Sequence, residues 1–168
     1  MRQTRKAFHP VKYYKGLTRK QKSLRQTEIK KHSSFTNKRA YTPFYTDTLI
    51  KTKPSSYTKE WNKLFPEAKS LDERAKATGV PKRFLEESFN RGMAAWRTGH
   101  RPGATQQQWG YARVSSFLLC GKTYHTTDSD LAKKAVKASD SAKKWFSRCP
   151  PWTHLESTLS AKPGIWKL

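Results

Sequence analysis

Acidic side chains are scarce in this sequence: 12 Asp and Glu stand against 35 Lys and Arg, a formal net charge of +23 over 168 residues. A field of that size draws anionic partners and works against compaction of the isolated chain. Apolar residues are also few, at 35%, below the roughly 45–50% of ordinary globular chains. No long apolar run is present. The longest, Phe117 to Cys120, is far too short to cross a bilayer. Arg2, Arg5 and Lys6 follow Met1 without an apolar stretch, which argues against a signal peptide. Cysteine is nearly absent. Cys120 and Cys149 give neither metal-ligand spacing nor a disulfide framework. Each is therefore expected to be an ordinary thiol, Cys120 half-buried and Cys149 in a loop, in a soluble protein of intracellular type.

The usual marks of catalysis are missing too. There is no phosphate-cradling glycine-rich loop and no nucleophile elbow. His9, His32, His100, His125 and His154 are scattered, with no pair at ligand spacing. Glu86 and Glu87 are adjacent and project in different directions from a helix, so they suit a solvated face. Asp128 and Asp130 flank a helix start, where acids favour the positive end of the dipole. No catalytic residue, metal, cofactor or small-molecule substrate is assigned.

What is abundant is basic and aromatic. Six Trp, seven Tyr and eight Phe are more than a disordered tail would carry. Residues 1–69 hold 18 basic and 4 acidic side chains and read as a basic, largely extended arm. A helix is expected at 18–31, with Thr18 and Gln21 as a capping box. Phe35, Tyr41, Phe44, Tyr45, Leu49, Ile50 and Tyr57 are spaced as individual docking points. A short helix through Glu60–Phe65 stops at Pro66. Residues 70–148 read as a small all-α unit of three to four short helices. Ser70 and Glu73 form a capping box, Gly79 is a stop, and Pro81 opens a helix. Leu85, Phe89, Met93 and Trp96 then form one stripe. Thr105 opens the next helix, whose face is Trp109, Ala112, Ser116, Phe117 and Cys120, and Gly121 ends it. Thr127 or Asp128 opens a further helix, and Ser139 or Asp140 another with Ala142, Trp145 and Phe146. Residues 149–168 read as an irregular tail. Four or five buried large side chains give a modest core of about 10 kcal/mol.

Two groups of residues are candidates for binding an anionic partner. Arg97, His100, Arg101, Thr105 and Arg113 gather around a turn into a helix N-terminus, which suits an anion. Alternatively these arginines bond carbonyls and close the turn, with Asp128 or Asp130 as salt-bridge partner. In the arm, Lys12, Tyr13, Tyr14, Arg19, Lys20, Lys22 and Arg25 interleave cations with rings, a pattern that suits phosphate contact with stacking or adhesion to an acidic protein. No sequence-reading DNA motif is present, so nucleic-acid binding would be salt-sensitive and sequence-tolerant.

The stretches Lys76-Ala-Thr-Gly-Val-Pro81, Asn90-Arg-Gly-Met-Ala-Ala-Trp-Arg-Thr-Gly-His-Arg-Pro-Gly-Ala-Thr-Gln-Gln-Gln-Trp-Gly-Tyr-Ala-Arg-Val-Ser-Ser-Phe-Leu118 and Asp128-Ser-Asp-Leu131 resemble an uncharacterised family of large DNA viruses of algae and protists, with related segments in phages. Tyr13-Tyr-Lys-Gly-Leu-Thr-Arg-Lys20 resembles the same family. The likeness spans about residues 70–148 and carries no catalytic residue. It implies a virion, with the host cytoplasm or nucleus before assembly. The expected role is non-enzymatic: a minor capsid component bound to acidic capsid proteins, to DNA, or to the anionic lipid of an inner membrane. A genome-condensing protein is the first alternative and an enzyme acting on nucleic acid the second. The latter requires a buried cluster around His100, Arg101, Asp128 and Asp130.

Overall fold

The computed structural model describes residues 11–33, 44–99 and 103–150, and these are helical with no strand among them, as the patterning predicts. The elements are α1 (Arg19–Ser33), α2 (Ser56–Leu64), α3 (Leu71–Thr78), α4 (Lys82–Gly99), α5 (Gln106–Leu118), α6 (Lys122–His125), α7 (Ser129–Ala138) and α8 (Asp140–Phe146). Short 3₁₀ turns cover Val11–Tyr14 and Tyr45–Asp47. The chain divides into two compact units. One holds residues up to Lys53 together with Ala95–Thr105, and the other holds Pro54–Ala94 and the chain from Gln106 onward. No helix among the described residues is long and apolar enough to cross a membrane.

Helix boundaries follow local chemistry. Ser70 Oγ accepts from the Glu73 amide while Glu73 reaches back to the Ser70 amide, a complete capping box, and Gly79 closes α3 in the left-handed region at φ 70°. Thr18 and Gln21 exchange the same pair of bonds at the start of α1. Ser139 ends α7 and caps α8 through the Ala142 amide. The end of α5 departs from expectation. The left-handed residue there is Cys120, at φ 54°, and Gly121 instead precedes α6.

The larger unit is built around α5. From Val114 to Leu119 every residue is buried, so this half of the helix is enclosed on all sides. Trp61 from α2, Leu85 from α4, Leu131, Ala132 and Ala135 from α7, and Ala142, Trp145 and Phe146 from α8 share its core. The small side chains of Ser115 and Ser116 let neighbours approach. A Cβ on Gly92 of α4 would lie 2.8 Å from the Gly110 Cα of α5, so these helices touch backbone to backbone. Rings fill the interior: Trp61 stacks on Phe65 at 4.6 Å, and Phe146 lies 5.3 Å from Phe117 and 5.1 Å from Tyr124.

Two expectations are corrected here. The helical unit starts at Pro54 rather than 70, because Trp61 is fully buried and its indole donates to the Ala68 carbonyl at 2.8 Å. The core is also larger than four or five side chains. Sixteen buried apolar residues join in one cluster, since α2 and α8 both contribute to it.

In the smaller unit, Leu17, Phe44 and Trp96 are buried. The Trp96 indole donates to Ala104 O at 2.6 Å, and Thr52 Oγ1 donates to Gly103 O at 2.9 Å. Gly103, at φ 85°, has no room for a Cβ against the Ile50 carbonyl. The described part of the arm therefore contains α1, α2 and packed turns and is not largely extended. Phe35, Tyr41 and the tail from 151 lie outside the described residues.

The cysteines supply a third correction. Cys120 and Cys149 form a disulfide, with Cα atoms 5.3 Å apart. The chain returns through α6, α7 and α8, and the Trp145 indole bonds Leu118 O at 2.9 Å, which holds the end of α8 against the end of α5. Closing a loop of this size is worth about 3–4 kcal/mol through the unfolded chain. Reductant, or Cys149→Ser, is expected to lower the unfolding free energy by about that amount, measured by denaturant titration with and without dithiothreitol.

Candidate functional site

Among the described residues, the densest group of charged side chains joins α4, α5 and the start of α7. Asp128 stands at the N-cap position of α7 but makes no capping bond with its side chain. Its carboxylate is instead wholly buried and turned toward α4 and α5. Arg113 grips it with both arms of its fork, Nε to Oδ2 at 2.9 Å and Nη2 to Oδ1 at 2.7 Å. Ser88 Oγ donates to Oδ2 at 2.9 Å, and Arg91 Nη1 reaches Oδ1 at 3.3 Å. Arg91 also meets Asp130 through two bonds of 2.7 Å and Glu87 through one of 2.7 Å. The Thr127 carbonyl accepts from Arg91 Nη1 at 2.8 Å and from Arg113 Nη2 at 3.4 Å. The guanidinium of Arg91 holds the Asp130 carboxyl down to about 2, and Asp130 and Glu87 in turn push the Arg91 guanidinium upward.

A second buried cation is Arg74. Its guanidinium lies between the rings of Trp61 and Tyr111, 4.9 and 5.0 Å from their centroids. It donates to Ser115 Oγ at 2.9 Å and Tyr111 O at 3.4 Å. Burial lowers it to about 10, so it remains charged at neutral pH.

In the smaller unit, Arg25 of α1 is 1% exposed and forms a third centre. It donates to Asp47 Oδ1 at 2.8 Å and Thr46 Oγ1 at 3.0 Å, with its guanidinium 4.3 Å from the centroid of Phe44. Glu28 accepts from Thr46 in turn.

The expected binding residues therefore have different fates. Arg113 faces Asp128, the ion pair that the sequence offered as the alternative to an anion site. Arg97 is exposed in the last turn of α4, and Thr105 is exposed just before α5. His100 and Arg101 lie outside the described residues, as does the side chain of Lys12. Arg25, expected to contact a partner, is instead enclosed by Asp47 and Phe44. Tyr13 and Tyr14 are partly buried in their 3₁₀ turn, and burial raises the Tyr14 phenol against the opposing charge of Arg25. Arg19, Lys20 and Lys22 are exposed on α1, as a partner contact requires.

Sequence reading missed Arg91, Ser88 and Arg74. The opposite charges of Glu87 and Arg91 four residues apart were a usable signal, and Glu87 is indeed ion-paired rather than merely solvated. Among the described residues no group of three or more His, Cys, Asp or Glu is placed to hold a metal ion.

Residues 10–136 match a family model described as a family of unknown function, DUF5824. No curated protein and no solved structure matches the chain.

Asp128→Asn would leave two guanidinium groups around a buried site without their shared counter-charge. It is expected to cost on the order of 3–5 kcal/mol in urea unfolding at neutral pH. Substituting Asp72, whose pair with Lys82 is open to solvent, should change stability little. Acid should act through Asp130. Its carboxyl titrates near 3.8 when unfolded and near 2 when folded, so the unfolded chain takes up its proton first. The stability from this pair is complete above about pH 4 and is lost as pH falls toward about 2. A stability profile of Asp130→Asn should lack that slope.

Proposed function

The chain belongs to DUF5824, a family of unknown function, and we propose that it is a non-enzymatic structural protein of a large DNA virus particle. In this reading it is a minor capsid component whose basic surface lies against acidic capsid proteins. The observation that carries the reading is where the charges stand. Arg25, Arg91 and Arg113 are matched within the chain by Asp47, Asp128, Asp130 and Glu87, and Arg74 is held by two rings, a hydroxyl and a carbonyl, while Arg19, Lys20 and Lys22 of α1 stand exposed. Asp128 and Asp130, the carboxylates nearest to a catalytic arrangement, are engaged by Arg91 and Arg113, which supports binding over chemistry.

In this reading the arm and the tail beyond residue 150 thread between capsid subunits. Val11, Leu24, Tyr45 and Leu49, the exposed large apolar side chains among the described residues, all belong to the smaller unit and suit such seating. The disulfide is in keeping with a particle, since such bonds persist on virions and are rare in reducing cytosol. The viral resemblance of the sequence supplies the context. The alternative of a genome-condensing protein draws on the same charge, and an anionic inner membrane would attract it too.

The test is fractionation of purified particles with quantitative detection of this chain. After nuclease and moderate salt, it is expected to stay with the DNA-free shell. Release together with the DNA would favour genome condensation, and absence from particles would remove the proposal.

A further inference from the structure

In the larger unit, α7 and α8 pack against each other and join at the single residue Ser139. α7 buries Leu131, Ala132 and Ala135, and the spacing of Lys133, Lys134 and Lys137 sets them away from that stripe, where all three are exposed. α8 buries Ala142, Trp145 and Phe146 and exposes Lys143 and Lys144. Arg148, also exposed, lies over the Trp145 ring at 4.6 Å. Six cations therefore fall between residues 131 and 150, where Asp140 is the one acid. Lys134 has a long contact of 3.9 Å to Asp130, whose carboxylate Arg91 already engages. Lys137, Lys143 and Lys144 form no ion pair among the described residues.

The face is firm beneath its lysines, because the core of α5, the Trp145–Leu118 bond and the disulfide at Cys149 hold both helices.

We infer that this α7–α8 face binds the phosphate backbone of duplex DNA without regard to sequence. Its chemistry separates it from a protein-docking surface. Protein interfaces favour aromatic residues, Met and Arg and are depleted in Lys. Here the exposed cations are mostly Lys, and no exposed large apolar side chain lies on either helix. The same lack argues against stacking on unpaired bases. Exposed lysines on a firm helical face match what neutralising phosphates requires. The assignment is distinct from the arm and does not rest on the capsid reading.

The full-length protein is titrated with two labelled duplexes of unrelated sequence over a range of KCl. Lys137→Gln/Lys143→Gln/Lys144→Gln is compared with Arg19→Gln/Lys20→Gln/Lys22→Gln, which removes equal charge from α1. The α7–α8 variant should bind both duplexes at least about tenfold more weakly than the α1 variant, and its slope of log K against log salt should fall by roughly 2–3, about 0.9 for each lost phosphate contact. Lys137→Arg/Lys143→Arg/Lys144→Arg should restore binding, which separates lost contact from lost folding. Equal losses from the two neutral variants would overturn the assignment, as would no duplex binding near physiological salt. Displacement of the duplex by poly-glutamate at equal charge would overturn it too, in favour of an acidic protein. None of these outcomes changes retention by DNA-free shells, so this assignment and the capsid role fail separately.

Discussion

The carboxylate of Asp128 is the point on which the larger unit turns. It is wholly buried, yet it accepts bonds from Ser88 and Arg91 on α4 and from Arg113 on α5, while its backbone opens α7. A lone carboxylate taken out of water would destabilise the fold by several kcal/mol. With a bidentate guanidinium and a hydroxyl in place, the same group fixes which faces of three helices meet. The Gly92–Gly110 approach makes this possible, because α4 and α5 must come close for Arg91 and Arg113 to reach one acid. Apolar packing drives the collapse and the ion cluster sets its register.

The remaining buried cations obey the same constraint with different partners. Arg25 has a carboxylate, a hydroxyl and a ring; Arg74 has two rings, a hydroxyl and a carbonyl. Arginine suits these places because its planar fork stacks and donates at once, which an ammonium cannot do.

Much of the scaffold is legible in the sequence, because caps and stripes are local. Thr18 with Gln21, Ser70 with Glu73, Gly79 and Ser139 mark helix ends through residues at most four apart. What was not legible depends on partners far along the chain. Arg25 looks like any other cation of α1, and only Phe44–Asp47, arriving some twenty residues later, encloses it. Arg91 meets Asp130 across 39 residues. Cys120 meets Cys149 only after three helices have turned back. The enclosed half of α5 was hidden for another reason: its serines weaken the apolar pattern, although Arg74 and the Tyr111 carbonyl satisfy Ser115 inside the core.

These choices inside the fold have a consequence outside it. Asp47, Asp128, Asp130 and Glu87 are four of only 12 acids, and each is committed to an arginine. Asp47 and Asp128 are withdrawn from the surface and the half-exposed Asp130 and Glu87 are engaged by Arg91, so exposed lysines such as those of α7 and α8 stand less opposed than composition alone suggests. Self-repulsion from such a surface weakens an isolated chain, and an anionic partner relieves it. A fold that commits its scarce acids to arginines gains specific helix packing and, by the same step, leaves its surface lysines less opposed.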